Sequence, residues 1–216
     1  KRDPSVVMRV ELSDGPPQEA GRLYLRGVAF DQYDGKAWTN RLNYRRAVSE
    51  DAVGTFVLRS SRSFATPRLG DTIRQNILLE PLDTPVLFAA PLVERVSGKF
   101  PSVQSDLTGS VYLPFPSSSR IEYSALSRSN PVLPEDLSAE PSVYPESVIR
   151  HFLQIPSQPE RIAVLAKEIT HTQRTIYDKA TAIHSFLTHT FRYSLDAPLT
   201  EQDQPLEEFL FTRKTG

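Results

Sequence analysis

The sequence predicts an α+β protein in which an antiparallel β domain comes first and a short run of helices follows. Apolar residues alternate with polar ones, at a period of two, through most of the first 130 or so residues. Beyond about residue 145 the apolar period lengthens to roughly 3.6, that of an amphipathic helix. Between the two lies 129–145, which holds four prolines and few large apolar side chains and reads as a linker or wrapping loop. The expected domains are therefore 1–140 and 141–216.

Val6, Met8, Val10 and Leu12 alternate with Val7, Arg9 and Glu11, as a half-buried strand should. Residues 22–30 give a second strand, broken at Gly27, where a bulge or a close backbone approach is expected. Asp34-Gly35 is a strong turn dipeptide, and with Trp38 and Thr39 beyond it predicts a hairpin. Residues 53–59, 72–79, 86–89, 92–96, 110–113 and 121–126 complete the strands. In the last, Ile121, Tyr123 and Ala125 alternate with Glu122 and Ser124. Short strands parted by Pro, Gly and Ser predict an antiparallel β-sandwich or open barrel. Many of the 18 prolines fall between strands, where a missing N–H breaks no ladder.

In the second region Pro145-Glu146 predicts a short helix presenting Val148, Ile149 and Phe152 and ending before Pro156. Ser157-Gln158-Pro159-Glu160 has the form of a capping box, opening a helix to about Thr172 that buries Ile162, Leu165 and Ile169. A second box, Thr175 to Asp178, opens a longer helix to about Phe191 with the stripe Ala180, Ile183, Leu187 and Phe191. After a polar loop with Pro198 and Pro205, residues 206–211 give a last short helix carrying Phe209 and Leu210. So little helix is expected to be marginal unless the β domain or further sequence covers its apolar faces.

Composition excludes several function classes. The formal net charge is −1, from 25 basic and 26 acidic residues, so no basic face for nucleic acid is expected. The clusters Arg41/Arg45/Arg46 and Arg59/Arg62 read as solvated surface. With no cysteine, these residues supply no disulfide, thiolate metal ligand or nucleophilic thiol. No run approaches the ~18 apolar residues of a membrane helix, and Lys1-Arg2-Asp3-Pro4 does not open a signal peptide. The way the chain opens and stops at Thr215-Gly216 reads as a soluble piece of a longer protein.

Nor does any motif inside the chain carry chemistry. The histidines are His151, His171, His184 and His189, with none at the i, i+4 spacing of a helical metal pair, so neither metal nor cofactor is expected. There is no Gly-x-Ser-x-Gly elbow and no phosphate-cradling glycine loop. Paired acids such as Glu135-Asp136 and Glu207-Glu208 read as helix starts or solvated loop. One patch is richer: 30–38 sets Phe30, Tyr33 and Trp38 beside Asp31 and Asp34 at a tight turn. Either Phe30 and Trp38 enter the core, or Asp31, Tyr33, Asp34 and Trp38 form a binding patch for a sugar or peptide.

Three segments in order resemble a known family. Tyr24-Leu25-Arg26-Gly27, then Phe30-Asp31, Tyr33-Asp34-Gly35 and Trp38, resembles a stretch of the bacterial transglutaminase-like integral membrane proteins. The helical residues 162–170 and 177–194 are similar to the helices that open the family's catalytic core. Residues 209–216 resemble the run that leads into its Gly-aromatic-Cys motif. The resemblance implies an extracytoplasmic location (periplasmic or cell-surface), a membrane-anchored parent and a transglutaminase-like (papain-like) core. It also implies amide or peptide substrates, and a cysteine activated by a histidine that an aspartate orients. None of that triad falls within this chain, which alone is expected to be inactive. Tyr193 and Arg213 are cleft-lining candidates by proximity in sequence. The alternative is a binding module for envelope polymer or a protein partner, with Tyr33 and Trp38 at its surface.

Overall fold

The computed structural model describes residues 5–14, 23–58, 72–128, 137, 144–194 and 204–215. Arg59, Arg62, Pro198 and nearly all of the expected linker lie outside the described residues. Among those described, no helix is long and apolar enough to cross a membrane. Contacts divide the chain into two units, Lys1–Ala29 with Asn40–Pro131, and Phe30–Thr39 with Val132–Gly216. The aromatic hairpin, contiguous in sequence with β structure, thus groups with the helices.

The first unit is antiparallel. One sheet has six strands in the order β1-β7-β12-β9-β6-β5, namely Met8–Asp14, Thr72–Leu79, Ile121–Arg128, Val93–Gly98, Thr55–Val57 and Ser49–Ala52. A second has four in the order β4-β10-β11-β8, namely Arg46–Ala47, Gln104–Ser105, Val111–Tyr112 and Val86–Leu87. Alternation decides what enters the core. On β7, Ile73, Gln75, Ile77 and Leu79 are buried while their neighbours point away; β12 does the same with Tyr123, Ala125 and Ser127. Phe56, Ile77, Val96, Tyr123 and Ala125 of the larger sheet share one cluster with Leu87 and Val111 of the smaller, and with Val103. Two sheets joined by one core give the sandwich form of the predicted fold.

A polar knot sits in this core. Gln75 and Ser127 are both 0% exposed. Gln75 Oε1 accepts from Ala90 N at 2.6 Å, its Nε2 donates to Ser127 Oγ at 3.0 Å, and Ser127 Oγ donates to Ala90 O at 2.8 Å. Because these bonds complete one another, burial costs little and slippage of β7 against β12 would break them. Asp106, also buried, accepts from Ser110 N, Thr108 N, Thr108 Oγ1 and, at 2.7 Å, from Tyr112 Oη. Burial, then this bond to Asp106, pushes the Tyr112 phenol up to about 12.

Some strand expectations change. Residues 23–30 are half-buried apart from Tyr24, Val28 and Phe30, which are exposed, and the ladder reduces to a single bridge between Arg26 and Ala89. Gly27 there lies so close to Phe88 that an added Cβ would come within 2.9 Å of its ring, so the close approach explains this glycine. The strand expected from residue 53 starts at Thr55, since Val53-Gly54 is the turn of a hairpin whose other arm is Ser49–Ala52. On β1 only Met8 and Val10 pack against the core, while Val6 and Leu12 are exposed.

The second unit holds the two-stranded hairpin β2 (Gln32–Tyr33) with β3 (Trp38–Thr39) and the helices. These are α1 (Glu146–Phe152), α2 (Glu160–Thr170), α3 (Ile176–Thr190) and α4 (Pro205–Glu208), the last running into a π-helix, Phe209–Arg213. Thr175 caps α3 as expected, its side chain accepting from Asp178 N at 3.0 Å. The Ser157 box does not form: the N-cap of α2 is Pro159, which makes no side-chain cap bond. Gln158 precedes a proline and is disfavoured from helical backbone, so the helix starts at Glu160 and leaves Ser157 outside. None of these described helices contains a buried residue. Ile162, Leu165, Ile169, Ile183 and Leu187 are half-buried, and Ala180 is exposed.

Candidate functional site

The aromatic hairpin is built from its turn outward. Asp34 N donates to Ala37 O at 3.1 Å, and Asp34 Oδ1 accepts from Lys36 N at 2.8 Å and Ala37 N at 2.7 Å. These amides hold the exposed carboxyl below its ordinary range, that of Ala37 contributing most. Gly35 sits at φ 103°, a conformation that favours glycine, which is why Asp-Gly makes this turn. Tyr33 Oη donates to Gly35 O at 2.6 Å, and burial with the nearby Asp34 charge raises its pKa. Tyr33 and Trp38, paired across the strands, hold their ring centroids 5.2 Å apart.

Of the four residues expected as a patch, two are spent inside the hairpin. Asp31 is 4% exposed, with its N donating to Thr39 O at 3.1 Å, and Asp34 is occupied by the turn. The core reading fails for the rings: Phe30 is 56% and Trp38 60% exposed. What keeps Tyr33 and Trp38 together is their mutual contact and the turn. Gln154, beyond α1, donates from Nε2 to Asp31 O at 2.6 Å, and Gln158 Nε2 lies beneath Gly35. Of the two, Gln154 alone ties the hairpin to the helices by a hydrogen bond, while Gln158 packs against the turn without one. A polar side chain between two helices gave no pattern by which to find the tie.

The second candidate region gathers at the end of the chain. Phe209 stacks on Phe191 with centroids 4.6 Å apart, and Phe186 meets Phe191 edge-on at 5.8 Å. Arg161 of α2 reaches Glu207 Oε1 at 3.3 Å and lies 3.6 Å over the Phe211 ring. Arg213 Nε donates to Glu208 Oε1 at 2.8 Å, in an ion pair whose side chains are 21% and 16% exposed. Arg192 N donates to Lys214 O at 3.2 Å, and Arg192 bridges Thr215 in parallel. Tyr193 follows directly on that bridge and is 84% exposed. The structure therefore brings both sequence candidates, Tyr193 and Arg213, to the same terminal segment, Arg213 held by Glu208 and Tyr193 open to solvent. Glu208 was missed because residues five apart do not share an α-helical face; the wider π turn brings them together.

The histidines do not converge. His171 Nδ1 lies 2.7 Å from Glu168 O and His189 Nδ1 2.7 Å from Ser185 O, both local to their helices. Among the described residues no group of three His, Cys, Asp or Glu side chains is arranged to hold a metal.

A self-contained antiparallel β domain, joined in sequence to helices that close no core among the described residues, defines an α+β protein. The chain belongs to the TgpA family: the family model described as the TgpA N-terminal domain matches residues 1–134. No curated protein sequence matches it significantly. Two crystal structures of the periplasmic domain of TgpA from Pseudomonas aeruginosa share the fold. One has a TM-score of 0.65 at 19% identity and the other, bound to ethylmercury, 0.64 at 18%. Each match covers 100% of this chain and 66% or 68% of the other, so the chain spans about two thirds of their length. An extracytoplasmic location follows from this family.

Proposed function

We propose that this chain is the extracytoplasmic β domain and the opening helices of a membrane-anchored, transglutaminase-like cysteine acyl transferase or peptidase. In that reading the Cys-His-Asp triad comes from parent sequence following Gly216, and these residues alone are inactive. Substrates are amides of peptides or proteins, attacked by a thiolate that a histidine activates and backbone N–H groups assist. The observation that carries it is the state of the helical unit. Its helices have apolar faces yet no buried residue, as expected of the first part of a core still to be completed. Family membership and the 209–216 resemblance agree with that. The test is to express the parent's extracytoplasmic region and treat it with iodoacetamide. A single labelled cysteine just past Gly216, whose replacement by alanine abolishes amide turnover, is expected. Turnover that survives the replacement, or no cysteine there, overturns the proposal.

A second reading is supported by one observation, the exposed Trp38 face backed by Tyr33. Such a ring can stack on a glycan of the envelope or on a peptide. Retention on peptidoglycan that falls on Trp38→Ala would favour it; equal retention by both proteins counts against a Trp38 site.

A further inference from the structure

The residues from 208 to 215 do more than end a helix. Phe209–Arg213 is a π-helix, a rare turn that concentrates at functional sites, closed by Lys214 N donating to Phe209 O at 3.2 Å. Lys214 then sits at φ 54°, ψ 20°, in the left-handed region that a side chain disfavours by about 1–2 kcal/mol. Such a conformation persists only when its surroundings over-determine it. Here they do: the Lys214 N–H is held by Phe209 and its carbonyl by Arg192 N. The same segment is fastened to α2 through Arg161, which meets Glu207 and Phe211, and to the end of α3 through the Phe191–Phe209 stack. Glu208 contributes one oxygen to Arg213, while its Oε2 is buried with no hydrogen-bond partner among the described residues.

We infer that the Glu208–Arg213 pair, acting through the π turn, is a positioning clamp that sets the direction in which the backbone leaves Thr215. Resting on the function proposed above, this makes the pair positioning residues for the segment that carries the nucleophilic cysteine. Geometry is the reason the chain would need it. A thiolate is activated only where its base, a helix N-terminus and the oxyanion donors converge, and misplacement of about 1 Å can cost about a hundredfold in rate. An exit held by ion pair, ring stack and backbone bridge meets that requirement. The buried Glu208 Oε2 is the acceptor left for an N–H of the continuing segment.

The test uses the parent's whole extracytoplasmic region and needs no substrate. Iodoacetamide alkylation of the cysteine is followed against pH, alongside thermal unfolding, for wild type, Glu208→Gln, Arg213→Met and the exchanged pair Glu208→Arg/Arg213→Glu. The clamp predicts a wild-type thiol that ionises below the ordinary cysteine range. Either single substitution should then slow alkylation at neutral pH about tenfold or more and move its midpoint upward, with the unfolding temperature nearly kept. Where a single variant unfolds early, the exchanged pair decides: recovery of fold and of alkylation supports the clamp, and recovery of fold alone overturns it. Variants with wild-type rate and midpoint overturn the clamp while leaving the proposed function standing. A wild type with no reactive thiol removes the function, and the clamp with it.

Discussion

In the β unit Ile77, Val96 and Val103 are 1%, 1% and 0% exposed, whereas no residue on α1 to α4 is buried at all. Both units have amphipathic elements, so the difference is one of closure. The first unit puts a second sheet against the apolar face of its larger sheet. The second has half-buried stripes on α2 and α3 and leaves Ile155, Val164 and Tyr193 in solvent. Periodicity says which face of an element is apolar; whether anything covers that face depends on what else the chain supplies.

Substitution in the two interiors should break the comparison most sharply. Ile77→Ala opens a cavity in a sealed core and should cost about 3–4 kcal/mol, against about 1 kcal/mol for Leu187→Ala on α3, both read from urea unfolding. Equal costs would mean that the units are equally closed. Buried glutamines come next. Gln75→Leu strands Ala90 N and takes from Ser127 Oγ the bond it accepts, leaving only the one it donates to Ala90 O, and should destabilise by about 2 kcal/mol. Gln158→Leu should be neutral or stabilising, because both its amide atoms are already buried without partners among the described residues. A smaller contrast separates the two expected caps: Thr175→Ala should cost about 1 kcal/mol, and Ser157→Ala nothing measurable.

The last contrast appears only in alkali. Burial raises the pKa of Tyr112 to about 12 and that of Tyr123 further still. A phenol whose folded pKa lies above its unfolded value keeps its proton only in the native state across that interval. Its contribution is therefore whole below about pH 10 and is lost as pH climbs toward the folded value. Stability of the β unit should fall between about pH 10 and 12, and Tyr112→Phe should flatten that fall while lowering stability at neutral pH by about 1–2 kcal/mol, because Asp106 loses a donor. A fall of the same steepness in the variant would remove Tyr112 from the account.

What could be read from sequence tracks where side-chain pattern, rather than partner, decides structure. Strands β7 and β12 bury every second residue and were legible; Ser49–Ala52 has all four residues exposed and pairs only through its backbone, so no alternation announced it. The Thr175 cap was legible because its acceptor and donor lie three residues apart, whereas Pro159 displaced the Ser157 box by its restriction on Gln158. Asp34-Gly35 predicted the turn, but nothing in 30–39 showed that Gln154 would hold it to the helical unit, a contact across more than a hundred residues. At the chain's end Tyr193 and Arg213 were singled out by position. Their convergence needed a π turn and a parallel bridge, which leave no periodic mark.

Amide hydrogen exchange compares closure directly, measured on these 216 residues and on the longer extracytoplasmic region that the proposed function requires. The account predicts slow exchange for β7 and β12 in both proteins. It predicts α2 and α3 amides that exchange rapidly in the shorter chain and become strongly protected once the sequence after Gly216 is present. Helical protection that is the same in both proteins would contradict it.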